Sequence, residues 1–75
     1  MSDLPTIRPE DVSPDSPLRL APTSQFVVGQ FGNLGFEIRS QHRSEAEAKR
    51  SAIRLRKGLR GSGTNARRVI REEPT

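Results

Sequence analysis

All six prolines of this 75-residue chain stand near its ends, at positions 5, 9, 14, 17, 22 and 74, so residues 23–73 form one proline-free stretch. Proline removes a backbone donor and fixes φ, which keeps it out of helix interiors and central strands. The chain therefore divides into a proline-rich leader and a remainder able to form regular structure. Residues 1–24 carry five of the prolines, four acids (Asp3, Glu10, Asp11, Asp15) and two arginines (Arg8, Arg19). This predicts a disordered or extended acidic arm over 1–24. Its Leu4, Ile7, Val12, Leu18 and Leu20 follow neither a period of 2 nor of 3.6, which suits them at most to clipping the arm onto a surface.

Within the remainder, residues 25–71 read as a small basic domain and residues 72–75 as a tail. Gln25 to Phe31 is rich in residues that favour strands, and Gly32-Asn33-Leu34-Gly35 has the chemistry of a tight hairpin turn. Phe36 to Ser40 alternates, with Phe36 and Ile38 on the inward face and Glu37 and Arg39 outward. Ser44-Glu45-Ala46-Glu47 is a capping-box pattern that starts a helix at Ser44, and Gly58 is its natural stop. Ala48, Ala52, Leu55 and Leu59 share its packing stripe. After a Gly-Ser-Gly turn, Ala66 to Arg71 alternates as a short edge strand. The predicted fold is α+β, a ββαβ unit with one helix across a three-stranded antiparallel-type sheet, preceded by the arm.

Twelve residues of Leu, Ile, Val and Phe follow Ser24, a small core for a domain near 50 residues without a staple. A homodimer or a stabilising partner is therefore compatible with the count. Cysteine is absent and His42 is the single histidine, which excludes disulfides, thiolate metal sites and thiol nucleophiles, so no metal or other cofactor is expected. No glycine-rich phosphate loop precedes a helix, and the acids of the domain are capping or terminal residues. A non-enzymatic chain is expected. The longest apolar run, Phe26-Val27-Val28, is far short of the roughly 20 residues that span a bilayer, and Met1 to Pro22 lacks the pattern of a secretion signal. Together these predict a cytoplasmic protein without membrane contact.

Charge is the strongest functional signal. Between Arg39 and Arg71 there are eleven basic residues and only two acids, Glu45 and Glu47. Arg50, Arg54 and Lys57 recur at helical spacing, Arg60, Arg67, Arg68 and Arg71 follow the glycine turn or flank it, and Arg39 and Arg43 precede the helix. Guanidinium forks spaced along one ridge suit phosphates, so these nine residues are the candidate nucleic-acid contacts, for DNA or RNA with little base selectivity. No helix-turn-helix, zinc finger, ribonucleoprotein signature or leucine zipper is present to read bases. The alternative is an adaptor docking on a larger, acidic protein surface, with Ile53 on the helix and the strand edge at Val69 as contacts. Of the three phenylalanines, alternation makes Phe36 core, and one of Phe26 and Phe31 is left to stack on a base or a partner. An acidic arm folded onto the basic domain would compete with either partner.

Overall fold

The structure, a computed structural model, describes residues 4–58 and 64–71, with the side chains of residues 57 and 58 left out. Five named elements form the frame, in the order β1 (Thr6–Ile7), β2 (Phe26–Gly32), β3 (Gly35–His42), α1 (Glu45–Gly58) and β4 (Asn65–Val69), with a 3-10 turn at Pro9–Asp11. The fold is mixed α+β, as expected, with one helix on one sheet. The sheet has four strands rather than three, in the order β1-β4-β2-β3. The hairpin β2–β3 and the antiparallel pairing of β4 with β2 follow the sequence pattern. The additional strand comes from the leader: Thr6 and Ile7 pair in parallel with Arg68 and Val69.

That addition changes the place of β4. It lies between β1 and β2, not at an edge, and Val69 is buried there. The expectation that Val69 offers an exposed strand edge to a partner is thus corrected, because a strand with neighbours on both sides has no free ladder groups to offer.

The β2–β3 hairpin closes with Gly32 opposite Gly35, leaving Asn33 and Leu34 as a two-residue turn. Gly35 has φ +136°, a conformation that side-chain-bearing residues avoid. A bulge interrupts the pairing: Val28 faces Ser40 while Gly29 faces Ile38, so Arg39 is the extra residue. At Gly29 a Cβ would fall 1.9 Å from the Glu37 carbonyl oxygen, so only glycine lets the two backbones approach this closely.

The sheet separates two small cores. On the helix side Val28, Ala66, Ala48 and Ala52 are buried together, with Leu4, Phe26 and Leu55 half-buried against them. The expected stripe is seen at Ala48, Ala52 and Leu55, while Leu59 lies outside the described residues. Helix α1 starts as the capping pattern requires, with the Glu47 N–H donating to Ser44 Oγ at 3.4 Å. On the opposite side Ile7, Val27, Phe36, Ile38 and Val69 form the second core, with Val12 and Leu20 packed against it. Phe36 and Ile38 are inward residues, but they face the leader rather than the helix.

Residues 4–24 are therefore not a free arm. They cross the sheet from one edge to the other: β1 pairs with β4, and Val12 bridges Phe36 on β3. The Ser13 N–H donates to the Phe36 carbonyl at 2.9 Å, and the Ile38 N–H donates to Ser16 Oγ at 2.8 Å. The leader thereby covers the apolar face and occupies ladder groups at both sheet edges, where strands are prone to pair with other chains. Its prolines suit this task, since they flank the short β1 ladder at Pro5 and Pro9, and the rest of the segment packs by side chains and scattered hydrogen bonds.

Polar side chains hold the leader in place. Gln41 Oε1 accepts from the Ala21 N–H (2.8 Å) and the Ser24 hydroxyl (2.6 Å), and its Nε2 donates to the Arg19 carbonyl (2.8 Å). Arg71 donates to the Ser24 and Ala21 carbonyls at 2.7 and 2.8 Å, and Arg67 donates to the Thr6 carbonyl at 3.2 Å. The arginines grip backbone carbonyls rather than the acids of the leader. Its Glu10, Asp11 and Asp15 remain exposed.

Candidate nucleic-acid interface

Cross-strand pairing determines which basic residues share a surface. In the antiparallel ladders Arg67 stands opposite Val27 and Arg68 opposite Phe26, so the two adjacent arginines point to opposite sheet faces. Arg67 belongs to the leader side. Its guanidinium lies over the rings of Phe31 and Phe36, 4.7 and 5.7 Å from their centroids, and the rings meet edge to face at 5.2 Å. Arg71 is on the same side, gripping residues 21 and 24. Both arginines act as structural clamps here, remote from the helix.

The helix side retains the rest. Arg50 and Arg54, one turn apart, wall a hollow of about 290 Å³ together with His42, Glu47 and Ser51. Arg43, in the link between β3 and α1, is exposed directly beside it in sequence. The side chains of Arg43, Arg50 and Arg54 make no ion pair or hydrogen bond with any described residue. Arg68, whose side chain is also without one, is exposed on this sheet face two strands from His42, with Phe26 between them in the ladder. At the usual strand spacing that places the two backbones about 10 Å apart.

The remaining candidates are distributed elsewhere. Arg39 sits at the bulge and pairs with Glu37 at 3.5 Å. Arg60 and the Lys57 side chain lie outside the described residues. Lys49 is paired with Glu45 at 3.4 Å, and Arg56 donates to the Thr64 carbonyl (2.8 Å) and Asn65 Oδ1 (3.1 Å), tying the helix to the approach of β4. Ile53 is 53% exposed over a second hollow of about 200 Å³ with Lys49, Ala52, Arg56 and Ala66.

No family model, no curated protein and no solved structure matches this chain. Its chemistry must be read from the site alone.

Two residues that line the first hollow, His42 and Ser51, are joined through Ser40 by a chain of hydrogen bonds that the sequence pattern does not show. Ser51 Oγ and Ser40 Oγ share a hydrogen bond at 2.7 Å, and Ser40 Oγ shares another with His42 Nε2 at 2.8 Å. His42 Nδ1 is left facing Glu47 Oε2 at 3.9 Å. The order hydroxyl, imidazole, carboxylate is that of a nucleophilic relay. Here the Ser40 hydroxyl also shares a hydrogen bond with Ser51, and the 3.9 Å between His42 Nδ1 and Glu47 exceeds a hydrogen bond, so the serines fix the orientation of the imidazole. Ser40 is visible from its opposition to Val28 only once the bulge is known. Regular alternation past Arg39 would assign Ser40 to the other face.

Among the described residues no group of three metal-ligating side chains occurs, and no helix is long and apolar enough to cross a membrane.

Proposed function

We propose that this protein binds the phosphate backbone of nucleic acid through the flank of α1 formed by Arg43, Arg50 and Arg54, with little base selectivity and without catalysis. The observation that carries this reading is the pair of unpartnered guanidiniums one helical turn apart on the wall of a single hollow. Arginine at this spacing repels its neighbour in the absence of acids, a cost that an anionic ligand removes. Arg68 extends the basic surface along the sheet, and the side chains of Lys57 and Arg60 belong to the same proposal by sequence spacing.

The clamping roles of Arg67 and Arg71 narrow the contact set. Three phosphates neutralised by the flank give a log–log salt slope near −3 on duplex DNA, and each further contact steepens it by about 1. The test is fluorescence-anisotropy binding to a labelled duplex and to a single-stranded RNA across a salt series. Arg50→Ala with Arg54→Ala should flatten the slope by about 2 and leave the fold intact. An unchanged slope in that double variant would remove the flank from the interface.

A second reading, a protein adaptor, is favoured by the exposure of Ile53 beside its small apolar hollow. In that case Ile53→Asp abolishes capture of an acidic partner while DNA affinity is unaffected.

A further inference from the structure

Glu47 is the one acid on the wall of the phosphate hollow, and its carboxylate faces an imidazole whose other nitrogen is already committed. The imidazole is held by Ser40 at 2.8 Å, Ser40 is held by Ser51 at 2.7 Å, and Nδ1 is thereby aimed at Glu47 Oε2, 3.9 Å away. The imidazole is mostly covered, with 19% of the side chain exposed, whereas the Glu47 side chain is 59% exposed and free to swing out. Glu47 does not reach back to close the capping box: the box is seen only as the Glu47 N–H donating to Ser44 Oγ. Its carboxylate instead faces Nδ1, in the hollow that Arg50 and Arg54 also line.

From this geometry we infer that the hollow is a seat for one phosphate group, with His42 Nδ1, Arg50 and Arg54 as its donors, and that Glu47 is a built-in occupant which the incoming phosphate displaces. The inference rests on the nucleic-acid reading and names one backbone phosphodiester as the ligand. A carboxylate and a phosphate oxygen present the same acceptor chemistry to an N–H and a guanidinium fork. The resident acid stands 3.9 Å from the imidazole and pairs with neither arginine in the free protein, and it weakens binding because its charge must be moved aside. Among the described residues the charged groups of the helix that line the hollow with His42 are Glu47, Arg50 and Arg54, Arg43 follows it in the chain, and Arg68 is the charge across the sheet.

Glu45 provides the control, since it lies in the same first helical turn but is paired with Lys49 rather than with His42. Glu47→Gln and Glu45→Gln change the net charge equally. The expected result is that E47Q tightens duplex DNA binding about threefold, the size of an exposed charge interaction, while E45Q changes it by much less. His42→Asn should weaken binding by a similar factor, and DNA should shift the His42 ring resonances of the full chain in a proton NMR titration. Equal tightening by E47Q and E45Q, or none by E47Q, overturns the inference while the nucleic-acid reading stands, provided Arg50→Ala with Arg54→Ala still weakens binding. If that double variant binds as the wild type does, the nucleic-acid reading itself fails. Inorganic phosphate is the second probe: displacement of the duplex by phosphate beyond a chloride control of equal ionic strength identifies a seat for the free ion and overturns the assignment to a backbone phosphodiester.

Discussion

The two faces of the sheet are built by opposite means. On the helix side a regular amphipathic element packs its own small residues, Ala48 and Ala52, against Ala66 and Val28 of the sheet, and Val28 is the largest buried side chain of that cluster. On the other side an irregular proline-rich segment covers the larger residues Phe36, Ile38, Val27, Ile7 and Val69. Small side chains let the helix sit close, and its outer flanks are left free to carry unpaired charge. The leader side uses its charges internally: Arg67 and Arg71, which the sequence groups with the helix arginines, grip carbonyls of the segment above them. The contrast teaches that a +9 stretch of chain is not one surface, because a strand sends adjacent residues to opposite faces.

The harshest way to break this comparison is to remove the cover. A chain starting at Ser24 loses Ile7, Val12 and Leu20 from the second core and bares Val27, Phe36, Ile38 and Val69. With each fully buried apolar side chain worth about 1.5–3 kcal/mol, so small a domain should lose its cooperative melt in circular dichroism. A truncated chain that melts as the full one does would return the leader to the role of a dispensable arm.

Gly29→Ala tests the close approach at the bulge. Its Cβ has no room before the Glu37 carbonyl, so the hairpin must shift and stability should fall by about 3 kcal/mol, read as a lower urea midpoint at unchanged m.

A sharper contrast comes from exchanging arginines on the two faces. Arg67→Met removes the donor to Thr6 and the guanidinium over Phe31 and Phe36, and should cost about 1–2 kcal/mol of stability while the salt slope of DNA binding stays as it was. Arg54→Ala should do the reverse, changing stability by less than about 0.5 kcal/mol and the salt slope by about 1. Ile53→Asp is the smallest expected effect: at 53% exposure, it should move the urea midpoint only by the equivalent of about 0.5 kcal/mol or less.

Much of the helix side was legible in advance. Ser44 caps the start of α1 as the pattern requires, and the hairpin follows its glycines and its alternation. The leader side was half legible. Period-2 alternation placed Phe36 and Ile38 inward, and the helical stripe consists of alanines and leucines that can cover only one sheet face. Among the five unassigned apolar residues upstream, Ile7, Val12 and Leu20 supply the missing cover, while Leu4 packs into the core on the helix side. Phe31, expected as one of two candidates for an unburied aromatic, is the exposed one at 56%, with Arg67 over its ring. At the hollow beside α1, Arg50 and Arg54 follow from helical spacing alone. His42, Ser40 and Glu47 do not, because their meeting depends on a bulge that returns Ser40 to the helix side and on how α1 crosses β3.

Local physics settled what the sequence settled by itself: where proline forbids ladders, where a serine caps the start of a helix, which residues alternate along a strand, and where positive charge is dense. Those are properties of neighbours within a few residues, and backbone geometry transmits them directly. Only tertiary structure decided that β4 is an interior strand, that the leader is the second layer, and that arginines 67 and 71 hold carbonyls while 50 and 54 stay free. Each of those outcomes turns on burying the apolar face of a sheet, a demand that any sufficiently apolar segment of the chain can meet, however distant in sequence.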